Sequence, residues 1–176
     1  MDDAEAVRLV LAGDHRGAAC LIEKYQMDVY NASLRIVGNP ADAEDVTQDT
    51  FLAALHRMSS FRPDQAMSPW LRTIARNRSI DLVRRRAREP QPEPLRAENV
   101  ETAALGRLEA ARVRAALDRL PVRDRTLLVL RYWEDQPVEL VARAMDMTDG
   151  AARVALLRAR RALGALLAER EAGVEV

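Results

Sequence analysis

The chain has 176 residues, 48% of them hydrophobic and 31% charged, and its 27 basic and 27 acidic side chains cancel. This length supports one large domain or two small cored ones, and two are expected here. Zero net charge excludes a uniformly basic nucleic-acid binder, so any such affinity must come from local segregation of charge.

The Met-Asp-Asp-Ala-Glu start lacks a signal-peptide pattern, and no apolar run reaches membrane-spanning length, so a soluble cytoplasmic protein without membrane insertion is expected. Apolar residues at Ala18, Leu21, Ile22, Tyr25, Val29, Ala32 and Ile36 recur every three or four positions. They predict a long amphipathic helix that begins after Gly13-Asp14 and stops at Gly38. Asn39 as N-cap, Pro40 at the first helical position and Asp42 in the first turn start a second helix at once. It runs to about Met58. The stretch 61–67 has no helical period and reads as a loop, after which Ser68-Pro69 repeats the cap-plus-proline signal for a basic helix. Three prolines in Glu89-Pro-Gln-Pro-Glu-Pro94 cannot continue it and form a linker. Further helices are predicted over 108–120, 123–133, 138–145 and 149–169. With no strand-like alternation anywhere, the fold is all-α, two small helical bundles joined by a Pro-rich linker. The expected divisions are 1–88, 89–106 and 107–176.

Charge is segregated along this plan. The stretch 62–88 has eight arginines against Asp64 and Asp81, whereas 89–109 has five glutamates against Arg96 and Arg107. On the second helix, Ala43, Val46, Thr50, Phe51, Ala54 and Met58 share one side, and Asp42, Asp45, Gln48, Asp49 and His56 the other. Leu52 falls among the acids, as the apolar anchor of a charged-rim protein interface or as a stray leucine on a solvated face. On the basic helix, Trp70, Leu71, Ile74, Ala75 and Leu82 form the buried side and leave Arg72, Arg76, Asn77 and Arg84 outward. Arginines suit phosphates and Asn77 a base edge. Arg78, Asp81 and Arg85 lie nearer the core as an internal ion-pair ladder. The loop before this helix has the polar and apolar groups to hold a base drawn from the stack. In the second bundle, 138–145, the turn Asp146-Met-Thr148 and the helix from Asp149 have helix-turn-helix dimensions, with Thr148 as N-cap. Ala152, Ala155, Leu156, Ala159, Leu163 and Leu166 point inward, and Arg153, Val154, Leu157, Arg158 and Arg161 outward, toward a major groove.

Catalysis is not expected. There is no glycine-rich phosphate loop, nucleophile elbow or zinc-binding histidine spacing, and no cofactor is implied. Cys20 is the single cysteine, so it has no disulfide partner within the chain and reads as a buried thiol. His15 and His56 are too few for a metal site, and the acids at 42, 45 and 49 have no convergent second set.

These residues resemble the extracytoplasmic-function class of bacterial RNA polymerase sigma factors nearly end to end. Asp42-Ala-Glu-Asp-Val-Thr-Gln-Asp-Thr-Phe51 looks like the family's polymerase-clamp segment. Trp70-Leu-Arg-Thr-Ile-Ala-Arg-Asn-Arg-Ser-Ile-Asp-Leu-Val-Arg-Arg85 looks like its promoter −10 helix, and Leu120-Pro-Val-Arg-Asp-Arg-Thr-Leu-Leu-Val-Leu-Arg-Tyr-Trp133 like the start of its fourth domain. The resemblance implies that Asp45, Gln48, Asp49 and Leu52 face core RNA polymerase. It also implies that the loop with Phe61, Arg62, Asp64 and Gln65, followed by Arg72, Arg76, Asn77 and Arg84, takes the −10 promoter DNA. Arg153, Leu157, Arg158 and Arg161 would meet the −35 element, and an anti-sigma factor is an implied partner. Where the family reads close to Gly-Thr-Val-Lys-Ser-Arg-Leu, this chain has Gly150-Ala-Ala-Arg-Val-Ala-Leu156. Three polar positions are thereby lost, so −35 recognition is expected either to be weaker or to rest more on shape and apolar contact with thymine methyls. The competing expectation is a helix-turn-helix regulator that binds DNA without polymerase.

Overall fold

A computed structural model describes residues 1–62, 64–88 and 105–172, with side-chain surroundings for 1–62, 64–88 and 110–169. Every regular element among the described residues is helical, and the chain divides into two compact units, Met1–Arg85 and Arg86–Val176.

The first unit holds α1 (Asp3–Leu11), α2 (His15–Val37), α3 (Pro40–His56), a 3₁₀ turn (Met58–Ser60) and most of α4 (Met67–Arg88). Helix α1 was not anticipated from the sequence, because nine residues give the period too few repeats to stand out. Asp2 caps it by accepting from the Glu5 amide at 2.8 Å. Asp3 fastens it to α2, accepting from Lys24 Nζ at 2.7 Å and from the Tyr25 hydroxyl at 2.5 Å. Burial would raise the Asp3 carboxyl, but these two donors outweigh it and hold the group below its ordinary range. The helices cross at Gly17, where a Cβ would stand 2.3 Å from the Ala6 carbonyl oxygen.

The break between α2 and α3 falls where the sequence put it. Gly38 ends α2 in the left-handed conformation, φ 69°. The Asn39 side chain accepts from the Ala41 amide at 2.9 Å, and Pro40 opens α3. Leu21, Val29, Phe51, Ala54, Met58, Met67, Leu71, Ile74 and Ala75 then close one core, with Cys20 packed at its edge.

Helix α4 departs from expectation twice. It starts at Met67, so Ser68 lies inside it, and the Ser68 hydroxyl donates to Asp28 of α2 at 2.5 Å. Its buried sector also rotates. Met67, Leu71, Ile74 and Ala75 are buried in the first half, Ser79, Ile80 and Val83 in the second, a shift of roughly a third of a turn. A long helix that meets different neighbours along its length need not keep one apolar stripe.

The expected linker 89–106 lies outside the described residues, except Leu105 and Gly106, which already belong to α5 (Leu105–Asp118). After it come α6 (Val122–Leu128), a π-helical continuation (Val129–Trp133), α7 (Val138–Ala144) and α8 (Asp149–Ala172). The π turn is closed by the Glu134 amide donating to the Val129 carbonyl at 2.9 Å. Helix α8 packs on α5, α6 and α7. Leu127, Leu130, Val141, Ala152, Ala155, Leu156 and Ala159 are buried in this unit. Arg125 is buried as well, 3.8 Å from Asp118. Desolvation lowers its pKa and the Asp118 charge opposes that shift.

Candidate functional site

On α3, the expected core residues Ala43, Val46, Thr50, Phe51 and Ala54 are buried, and so is Met58 just beyond it. Asp45, Gln48, Asp49 and His56 are exposed, and Leu52 keeps 56% of its surface among them. Asp42 is a correction. It is only 5% exposed and does not belong to the acidic face. One turn into the helix, beside the Asn39 cap, it faces the protein, which the outward phase of the other acids does not reveal. The face that remains is an apolar side chain between carboxylates, suited to a partner with a hydrophobic recess and a basic rim.

The loop before α4 is anchored from within. The rings of Phe61 and Trp70 meet edge to face, 5.1 Å between centroids, and both are half-buried against the core. Phe61 is thus a support of the loop, not one of its free tips, while Arg62, Asp64 and Gln65 are exposed.

On α4 the rotation of the buried sector redistributes the arginines. Asn77 is exposed as expected, but Arg72, Arg76 and Arg84 are half-buried. Arg78, Asp81 and Arg85, assigned to an internal ladder, are exposed instead, and the pair that forms is Asp81 with Arg84 at 3.9 Å. The outward arginines that phasing turned inward are therefore Arg78 and Arg85. Ile80 and Val83, apolar at positions off the first-half stripe, were the signal that would have found them.

In the second unit the helix-turn-helix is built as expected. Asp146 takes a left-handed φ of 51° in the turn, and Thr148 Oγ1 accepts from the Ala151 amide at 3.2 Å to cap α8. Arg153, Val154, Leu157, Arg158 and Arg161 are all exposed. Arg153 is not isolated, because its guanidinium lies 3.3 Å from Glu139 of α7. No group of three or more potential ligand side chains could hold a metal ion among the described residues.

Residues 21–89 match the family described as Sigma-70 region 2, and residues 110–163 match Sigma-70, region 4. The chain is 31% identical over 176 residues to the RNA polymerase sigma-H factor of Pseudomonas aeruginosa, covering 92% of this chain and 91% of that one. It is 30% identical over 181 residues to the ECF RNA polymerase sigma factor SigM of Mycobacterium tuberculosis, covering 99% and 89%. The chain belongs to the extracytoplasmic-function class of sigma-70 factors.

Among solved structures, this sigma factor is similar to CnrH in complex with the cytosolic domain of CnrY. The two are 28% identical with a TM-score of 0.51, over 95% of this chain and 97% of that one. The fold is also shared with the sigma factor RpoE in complex with the anti-sigma factor NepR from Bartonella quintana, at 22% identity and a TM-score of 0.55, over 88% and 96%. A sigma factor is a transcription initiation factor and not an enzyme, and its regions 2 and 4 bind core RNA polymerase and promoter DNA. The expectation of a regulator that acts without polymerase is thereby set aside. Region 2 takes in most of α2 with all of α3 and α4, and region 4 the helix-turn-helix, so both charged faces fall inside the matched segments. Helix α1 precedes them. No described helix is long and apolar enough to cross a membrane.

Proposed function

We propose that α3 is the helix on which core RNA polymerase docks, through Asp45, Gln48, Asp49 and Leu52. The observation that carries this is the exposed leucine set among exposed carboxylates, on a helix whose opposite side is wholly buried. The −10 DNA lies along the loop and α4, with Arg62, Asp64 and Gln65 at the strand and Phe61 holding the loop's base. Asn77, Arg72, Arg76 and Arg84 line the duplex, and exposed Arg78 and Arg85 add to the basic field. In the second unit, Arg153, Leu157, Arg158 and Arg161 meet the −35 element. The functional divisions are 1–88 for polymerase and −10 DNA, 89–106 as linker, and 107–176 for −35 DNA. The protein works in the cytoplasm, where chromosomal promoters and polymerase are. The complex of CnrH with the cytosolic domain of CnrY supports a protein partner here, and an anti-sigma factor is the kind proposed.

Reversing two charges tests the docking face. The double variant Asp45→Lys and Asp49→Lys is expected to bind core polymerase roughly tenfold more weakly or worse, with an unchanged circular dichroism spectrum. Affinity equal to the unaltered chain would overturn the assignment.

A further inference from the structure

The outward face of α8 carries two large apolar side chains, Val154 at 59% and Leu157 at 47% exposure. At 100° per residue they fall in the middle of the exposed sector with Arg161, and Arg153 and Arg158 stand at its two edges. The side of α8 that packs on α5, α6 and α7 is the opposite one, with Ala152, Ala155, Leu156 and Ala159 buried. Gly150 lies in the same outward sector one turn earlier. A Cβ there would meet nothing within 4 Å, so packing does not require the glycine, and its effect is to leave the first turn open to close approach. Glu139 is paired to Arg153, and Asp149 lies at the helix start.

From these features we infer that α8 reads the major groove by the C5-methyl groups of thymine, with Val154 and Leu157 as the contacting side chains. The inference rests on the reading of α8 as the −35 helix and names what it recognises. Thymine alone among the four bases presents a methyl to the major groove, and an aliphatic side chain is its complement. The arginines flanking the two side chains suit the phosphates on either side of the groove, a charge match that an apolar protein groove would not call for. Val154 and Leu157 stand about 4.5 Å apart along the axis, against about 3.4 Å per base pair. They therefore meet methyls on the same or neighbouring base steps.

Holoenzyme assembled from core polymerase and the full chain would first select its promoter from a random-sequence library. In the selected −35 segment each thymine is then replaced by deoxyuridine, which keeps the pairing and loses only the methyl. Affinity is expected to fall about fourfold for each contacted methyl. Val154→Ala and Leu157→Ala should each abolish the difference between thymine and deoxyuridine at one position. Equal binding of both templates by the unaltered holoenzyme overturns the inference. So does a Val154→Ala or Leu157→Ala variant that weakens assembly with polymerase while leaving the thymine preference intact, since the patch would then be a protein face. If scrambling the whole −35 segment costs nothing, the assignment of α8 to −35 DNA itself fails. If scrambling weakens binding and deoxyuridine does not, that assignment stands and thymine-methyl readout falls.

Discussion

Asp14, Asp42 and Asp45 have the same side chain and three different situations. Asp45 stands in water on α3, Asp42 is buried one turn into the same helix, and Asp14 caps α2. The Asp14 carboxylate accepts from the Arg16 amide at 2.9 Å and from the Arg16 guanidinium at 2.7 Å. Those hydrogen bonds, first the side-chain ones and then the backbone one, hold its pKa down to about 2 from an ordinary 3.8. A depressed folded pKa contributes stability that is complete above the unfolded value near 3.8 and is lost as pH falls through about 2. The cap on α2 should therefore outlast the protonation of ordinary surface carboxylates. An NMR titration of the Asp14 carboxyl carbon is expected to show a midpoint near 2, and a midpoint near 4 would mean that the Arg16 contact does not hold in solution.

Between elements, the tightest tolerance is where α1 crosses α2. Gly17 is buried, and a Cβ on it would lie 2.3 Å from the Ala6 carbonyl oxygen, 2.8 Å from the Val10 amide and 2.9 Å from the Leu9 Cβ. Two of these three atoms are backbone, so relief requires the whole of α1 to shift. Gly17→Ala is expected to destabilise the first unit by about 1–3 kcal/mol, measured by urea unfolding. Because α1 also holds the Asp3 contacts to Lys24 and Tyr25, the variant should loosen these as well. An unchanged midpoint would show that α1 does not dock on α2 as described. The rotation along α4 belongs to this scale too. Periodicity assumes one direction of burial for a whole helix, and that assumption held for α2 and, Asp42 apart, for α3 but not for the 22 residues of α4. Three of its outward arginines consequently became half-buried, and two arginines assigned to the interior became exposed.

Across the whole molecule, the first unit has its own core, drawn from α1, α2, α3, the 3₁₀ turn and α4. A fragment of residues 1–88 is expected to unfold in one cooperative transition and to bind core polymerase without the second unit. A broad, non-cooperative melt would show that the core is incomplete alone. The sequence by itself determined the breaks before α3 and α8, because the left-handed Gly38, the Asn39 cap, Pro40 at the first helical position and the Thr148 cap act through backbone geometry within a few residues. It also determined the face of α8 and, Asp42 apart, that of α3, where a single apolar stripe matched a single packing direction, and the motifs that identify a sigma factor. Only the tertiary structure decided that Asp42 is buried, that Phe61 leans on Trp70, that Ser68 bonds Asp28 and that Arg153 pairs with Glu139. Each of these depends on a neighbour from another element or on the protein closing around a turn, and no periodicity within one helix encodes what arrives from elsewhere in the chain.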